Sequence, residues 1–217
     1  MSHSPSRMIA VIPAAGLSRR MGQPKLLMPI GSSSVIERLL NVLLQAKVES
    51  VIVVCRADDL ALQRAATACG AIVVTAAVDP PDMRTSVQHG LDYAAEHFPM
   101  ADDDGWLLIP ADHPVLTGPT VSLLIEIFSS QNPDVLVPTH NEGRGHPTIF
   151  SWRLAKQVRQ LPADKGLNVL ARDEANRIVE FEVDDPTVLL DLDTPEDYDR
   201  ILKVWGAESS LRPPGGD

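Results

Sequence analysis

The strongest constraint on this chain is an alternation that runs from Met8 to Phe128. Short, wholly apolar runs take turns with longer stretches of helical periodicity. Met8–Ile12, Val51–Val54, Ala71–Val74 and Trp106–Ile109 are apolar throughout and end in turn signals, which is the pattern of strands buried on both faces. Between them, 35–46 carries apolar side chains at 35, 36, 39, 40, 43 and 44, one face of a helix. A second helix is expected from about Asp58 to Cys69, stopped by Gly70, and a third from about Met83 to His97. Thr117-Gly118-Pro119 supplies an N-cap and a first-turn proline for a fourth, ending near Phe128. A β-α-β-α-β-α-β-α order requires parallel strands joined by crossover helices. The fold class is therefore α/β, a three-layer α/β/α sandwich on a mostly parallel twisted sheet.

After Asp134–Val137 the rhythm breaks. A glycine-containing loop at 141–145, a strand near Thr148–Phe150, two short helices and a strand over Arg177–Val183 predict a sheet that turns mixed in its C-terminal half. Thr194-Pro195-Glu196-Asp197 resembles a capping box and opens the last helix. No repeat or linker interrupts the chain, so one domain is expected over 1–206, with 207–217, small and rich in Pro and Gly, as a disordered tail.

Composition excludes several classes. A formal charge of -10 argues against nucleic acid, whose phosphates are held by clustered Lys and Arg. No apolar run approaches the roughly 20 residues that span a bilayer, and the first residues lack a signal-peptide core. Cys55 and Cys69 fall in no metal-ligand pattern and read as reduced thiols, which suits a cytoplasmic protein.

Strand ends in parallel α/β sheets are where ligands bind. The loop after the first strand, Pro13 to Lys25, holds two glycines, two arginines and a lysine in an acidic chain. Its small residues let the backbone approach phosphate, and Arg20 and Lys25 supply a fork of donors and a point charge. Its glycine spacing fits neither a dinucleotide fingerprint nor a Walker A loop. After strand four comes Asp112, in Ile109-Pro110-Ala111-Asp112-His113-Pro114, as a metal ligand or a turn residue. Asp191 and Asp193, in Leu190-Asp191-Leu192-Asp193-Thr194, would share one face of a strand, with helix capping as the plainer role for Asp193. Asp102-Asp103-Asp104 reads as a solvated loop.

The stretch Ala14-Ala15-Gly16-Leu17-Ser18-Arg19-Arg20-Met21-Gly22-Gln23-Pro24-Lys25-Leu26-Leu27 resembles the signature loop of the molybdenum cofactor nucleotidyltransferases, within the GT-A type nucleotidyltransferase fold. Asp112-His113-Pro114 and Asp191-Leu192-Asp193-Thr194-Pro195-Glu196-Asp197 are similar to that family's acidic motifs, and the likeness runs from about Ile9 to Leu202. The resemblance implies an NTP-binding half at about 8–115 and an acceptor-binding half at about 116–206. Ala14, Ala15, Gly16 and Ser18 would lie under the nucleotide, with Arg20 and Lys25 on its phosphates. Asp112 and Asp193, supported by Asp191, would hold Mg2+. Ser86 would meet base or ribose.

Arg144-Gly145-His146-Pro147 and Ala163-Asp164-Lys165-Gly166 resemble the cytidylyltransferase branch. That implies CTP and a molybdopterin-type acceptor contacted by His146, Asp164 and Lys165, and a molybdenum hydroxylase as client. One segment departs from the family's Gly-Met-x-x-Ser: here it is Asp82-Met83-Arg84-Thr85-Ser86. The rival readings are a nucleotidyltransferase for a sugar 1-phosphate or another small phosphorylated acceptor, and a non-catalytic carrier of the molybdenum cofactor.

Overall fold

The structure, a computed structural model, describes residues 7–46, 48–162 and 165–211, the last five as backbone. Strand β1 (Met8–Pro13) leads through the signature loop and a small hairpin, β2 (Pro29–Ile30) and β3 (Ser33–Ser34), into helix α1 (Val35–Gln45). There follow β4 (Ser50–Cys55), α2 (Leu60–Ala68), β5 (Ile72–Thr75), α3 (Met83–His97), β6 (Gly105–Leu108) and α4 (Gly118–Gln131). The second half holds β7 (Val135–His140), β8 (Gly143–Arg144), β9 (Thr148–Ser151), α5 (Ala155–Gln160), β10 (Ile178–Glu182) and α6 (Pro195–Leu211).

The main sheet runs β10-β7-β9-β6-β1-β4-β5, with β8 on β7. β6, β1, β4 and β5 are parallel neighbours, as the crossover helices demand. β9 is inserted antiparallel between β6 and β7, which makes the sheet mixed where the alternating rhythm fails. Ala10 and Ile12 of β1 pack with α1, α2 and α4 on one face; Ile9 and Val11 pack with α3 and α5 on the other. Period-two alternation within an all-apolar strand is what lets one strand serve both cores. Helix α3 lies close on the sheet because Gly90 has no side chain: a Cβ there would sit 2.6 Å from Val11 Cγ1.

Three local expectations change. Asp191 and Asp193 are not on a strand; they lie in irregular backbone between a 3-10 turn (Pro186–Leu189) and α6. The period of two survives anyway, because Leu192 is buried and donates its N–H to the Asp112 carbonyl at 2.9 Å, a single ladder-like bond. Asp104 is not solvated. It is 8% exposed, and its carboxylate accepts the N–H groups of Arg7 and Ala101, both at 2.7 Å, tying down the entry to β6. Helix α6 continues past 206 to Leu211, since one glycine costs a helix only about 1 kcal/mol. Residues 212–217 lie outside the described residues.

Candidate active site

The signature loop folds on itself before it meets anything else. Ser18 takes a left-handed conformation (φ 49) and its carbonyl accepts the N–H groups of Met21 and Gly22, at 3.1 and 3.2 Å. Gly22, at φ +66, turns the chain back. The Ser18 hydroxyl then accepts the Lys25 N–H at 3.3 Å, and Pro24 leads into a 3-10 turn at Lys25–Leu27. Ser18 therefore shapes the loop as well as lining the cleft beside it.

These turns aim Lys25 inward. Its ammonium donates to Asp112 Oδ2 at 2.6 Å, to the Leu192 carbonyl at 2.7 Å and to Asp193 Oδ1 at 3.0 Å, which uses all three of its protons. Arg20 reaches the other Asp193 oxygen at 2.8 Å, on an exposed path. Residues 112 and 193, far apart in the chain, thus share one cation. Burial pulls the Lys25 pKa down, but the Asp112 charge and the bonds to Asp112 and Asp193 outweigh it and leave it raised. Asp193 is lowered: burial opposes ionisation, and the hydrogen bond and charge of Lys25, with Arg20, prevail. Asp191 is raised, by burial and then by the neighbouring charges of Asp112 and Asp193.

A cleft of about 420 Å³ opens over this cluster. Ala14, Ala15, Gly16, Ser18, Lys25, Ser86 and Asp112 line it, so the loop, the start of α3 and the segment after β6 meet at one cleft. Arg20 stands outside the wall, on Asp193, while Arg19, which the sequence reading passed over, lines it. Ser86 is 3% exposed and its hydroxyl donates to the Asp82 carbonyl at 3.3 Å, so it is locked into the helix. Asp82 caps α3 by accepting the Thr85 N–H at 2.7 Å; this departure from the family pattern is a helix cap.

A second cavity, about 340 Å³, adjoins the first, and Met83 borders both. Leu108, Val137, Phe150, Leu167 and Ala171 make it apolar, while His146, Thr148, Asn168, Arg144 and Arg172 add polar groups. Of the two expected acceptor contacts among the described residues, His146 lines it. Lys165 is exposed and stands away from the wall; Asp164 lies outside the described residues. Asn168 and Arg172 carry no motif, and Arg144 opens the Arg144-Gly145-His146-Pro147 stretch without a role assigned to it; their convergence depends on β8 and the 3-10 turn over 167–172 coming together. The loop bearing His146 is pinned where its N–H donates to the Val188 carbonyl at 2.9 Å, an approach open only because residue 145 is glycine.

The acids also bear on a metal. Among the described residues no three His, Cys, Asp or Glu side chains form a ready-made ion site. Asp112 and Asp193 nevertheless fit Mg2+, which is usually held by one or two carboxylates with phosphates and water. The Lys25 ammonium already bridges them, and Asp112 Oδ1 is buried with no hydrogen-bond partner among the described residues.

The model of the MobA-like NTP transferase domain matches residues 10–178, well over half of the chain. The chain belongs to this family. The molybdenum cofactor cytidylyltransferase of Escherichia coli (strain K12) is 26% identical over 190 residues, which is 87% of this chain and 92% of that protein. The purine catabolism protein PucB of Bacillus subtilis (strain 168) is also 26% identical, over 91% of this chain and 97% of its own. The structure of Rv0371c from Mycobacterium tuberculosis H37Rv superposes with a TM-score of 0.78 at 29% identity, covering 91% of this chain and 99% of that one. Its complex with manganese gives 0.71 at 27% identity over the same shares.

As a MobA-like nucleotidyltransferase, the chain places two histidines beside its acids. The rings of His113 and His146 meet edge to face at 5.1 Å, each with a buried Nδ1 that has no hydrogen-bond partner among the described residues. Burial and then the nearby His113 push His146 down to about 4, so it is neutral at pH 7. A base with a depressed folded pKa loses stability as pH falls, because the unfolded chain takes up the proton first. The window lies between the ordinary value of 6.5 and about 4. His146→Gln is expected to recover up to about 2 kcal/mol of stability at the bottom of that window, discounted for its partial exposure. Melting curves from pH 7 to pH 4 check this; an unchanged slope of Tm against pH would show that His146 is not held neutral.

Proposed function

We propose that this nucleotidyltransferase transfers CMP from CTP to the terminal phosphate of a molybdopterin-type molybdenum cofactor and releases pyrophosphate. The observation that carries the reading is the shared cation: Asp112 and Asp193 lie within 2.6 and 3.0 Å of one nitrogen, and Lys25 and Asp112 line a cleft that adjoins a second cavity. The name of the E. coli relative supports the nucleotide and the acceptor, and the manganese complex of Rv0371c supports a divalent ion.

In this reading the small residues Ala14, Ala15 and Gly16 pass beneath base and ribose. Arg20 and Lys25 turn from the carboxylates to the β- and γ-phosphates, a move within reach because both cations already sit beside the cleft. The acceptor rests in the cavity at His146 with its phosphate towards Asp112. Its oxygen forms the new bond to the α-phosphorus, the bond to the β-phosphate oxygen breaks, and pyrophosphate leaves with the electron pair. A phosphate nucleophile is already ionised at neutral pH, so no side chain need act as general base. Mg2+, when held by Asp112 and Asp193, neutralises charge on the phosphates.

The test is a pyrophosphate-release screen of the four NTPs, each with and without molybdenum-loaded molybdopterin, with magnesium or EDTA. Release confined to CTP, molybdopterin and magnesium is expected. Release with another NTP replaces the nucleotide assignment, and release with a sugar 1-phosphate but not molybdopterin replaces the acceptor. Cofactor binding without release would make the chain a carrier.

A further inference from the structure

Arg84 stands beside the departure at Asp82, at a position the family pattern leaves open, and neither the Lys25–Asp112–Asp193 cluster nor the wall of either cavity uses its guanidinium. That group instead crosses to the other half of the molecule. It donates to the Leu161 carbonyl at 2.7 Å and the Pro162 carbonyl at 3.3 Å, from a side chain only 18% exposed. These carbonyls follow α5 directly, where a helix runs out of internal donors. The Pro162 carbonyl also accepts the Lys165 N–H at 2.9 Å, just ahead of Gly166, Leu167 and Asn168, which line the second cavity. On its own helix, Arg84 shares the first turn with Met83 and Ser86, which line the first cleft.

We propose that Arg84 is a positioning residue that couples the two cavities, so that a nucleotide settling on the first turn of α3 steadies the acceptor-side residues 165–170. The naming of the cavities rests on the reading above; the coupling rests on the arginine. One nitrogen, Nη1, donates to both carbonyls while Nη2 lies 4.0 Å from the Asp82 carboxylate, and the single nitrogen of a lysine cannot serve both sides at once. A second tie between the same helices, the ion pair of Asp92 with Arg159, provides the control, since it joins α3 to α5 without touching the loop.

The experiment is hydrogen exchange by mass spectrometry on the full chain with magnesium and each NTP. In the wild-type protein, the NTP that protects the 13–25 loop is expected to slow exchange over 165–170 by about 5-fold. Arg84→Met should abolish that second protection while the 13–25 protection and the nucleotide affinity stay within about 2-fold, and Arg159→Ala should keep both. In turnover, Arg84→Met should raise the acceptor KM about 10-fold at saturating nucleotide and, by reciprocity, the nucleotide KM at saturating acceptor, leave kcat near wild type, and be only partly mimicked by Arg84→Lys. Protection of 13–25 without 165–170 in the wild type overturns the coupling alone. Equal loss in Arg84→Met and Arg159→Ala also overturns it, reducing the contact to helix packing. Protection of neither segment by any NTP sinks the nucleotide reading and the coupling together.

Discussion

Asp112→Asn is expected to cut pyrophosphate release about 1000-fold while leaving the fold intact. The substitution keeps the shape of the side chain and removes its charge. Asp112 follows β6 on a loop whose course is set by backbone bonds, notably the Leu192 N–H on its carbonyl, so the chain does not need the carboxylate to hold this geometry. Its Oδ1 is buried without a partner among the described residues, a cost of about 1–3 kcal/mol that the fold retains. A group held at such a cost serves something other than stability. Asn keeps an oxygen for the Lys25 ammonium and should melt within a few degrees of the wild type, whereas Asp112→Ala leaves Lys25 one partner short and should cost about 1–2 kcal/mol. A coupled pyrophosphate assay at saturating magnesium, read beside a melting curve, checks both halves. Wild-type turnover in Asp112→Asn would remove this residue from the site.

Lys25→Met should divide its effect between stability and rate, and metal should separate the two. The ammonium neutralises Asp112 and Asp193 together, and removing it leaves two carboxylates facing each other. Losing one partner of a buried cluster is costly; with these side chains 15–27% exposed, about 2 kcal/mol is expected at pH 7 in EDTA. Millimolar magnesium or manganese should recover most of that loss in the variant and shift the wild type much less, because the wild type already carries a cation there. Turnover should stay about 100-fold down even with metal, since the phosphates lose a ligand. The pH dependence has a definite sign. Asp193, lowered in the fold, contributes stability above its ordinary value of 3.8 that is lost as pH falls through its folded value. Lys25, raised in the fold, contributes below 10.5 and is lost as pH rises through its folded value. Lys25→Met should therefore flatten both limbs of the profile. An unchanged Tm in EDTA would mean that the ammonium does not bridge the acids.

Much of the architecture was open to inspection in the residues. Strands β1, β4, β5 and β6 and helices α1 to α4 lie within a few residues of where apolar period, caps and glycine stops put them. The reason is local: each element carries its own periodicity and its own terminator, and the crossover rule does the rest. What escaped was short or non-local. The hairpin of β2 and β3 spans only 29–34, too few residues to show a period. Asp104 looked like one of three solvated acids, yet two backbone N–H groups claim it.

The acceptor wall shows the same limit. His146 stood out beside proline in a glycine loop and Arg144 lay in the same stretch but was given no role, whereas Asn168 and Arg172 have nothing in their neighbours to mark them.

The amino-acid order thus sets the layers, the parallel half of the sheet and the identity of the chemical groups at the strand ends, because those follow from periodicity and from which side chains can bind phosphate. Distances, and the partner each charge takes, are another matter. That Lys25 bridges Asp112 and Asp193, that Arg20 lies on Asp193 while Arg19 faces the cleft, and that Arg84 reaches the loop after α5 all come from packing far-separated segments against one sheet. Such pairings depend on where backbones pass within about 3 Å of a side chain's end, and no spacing along a chain encodes that.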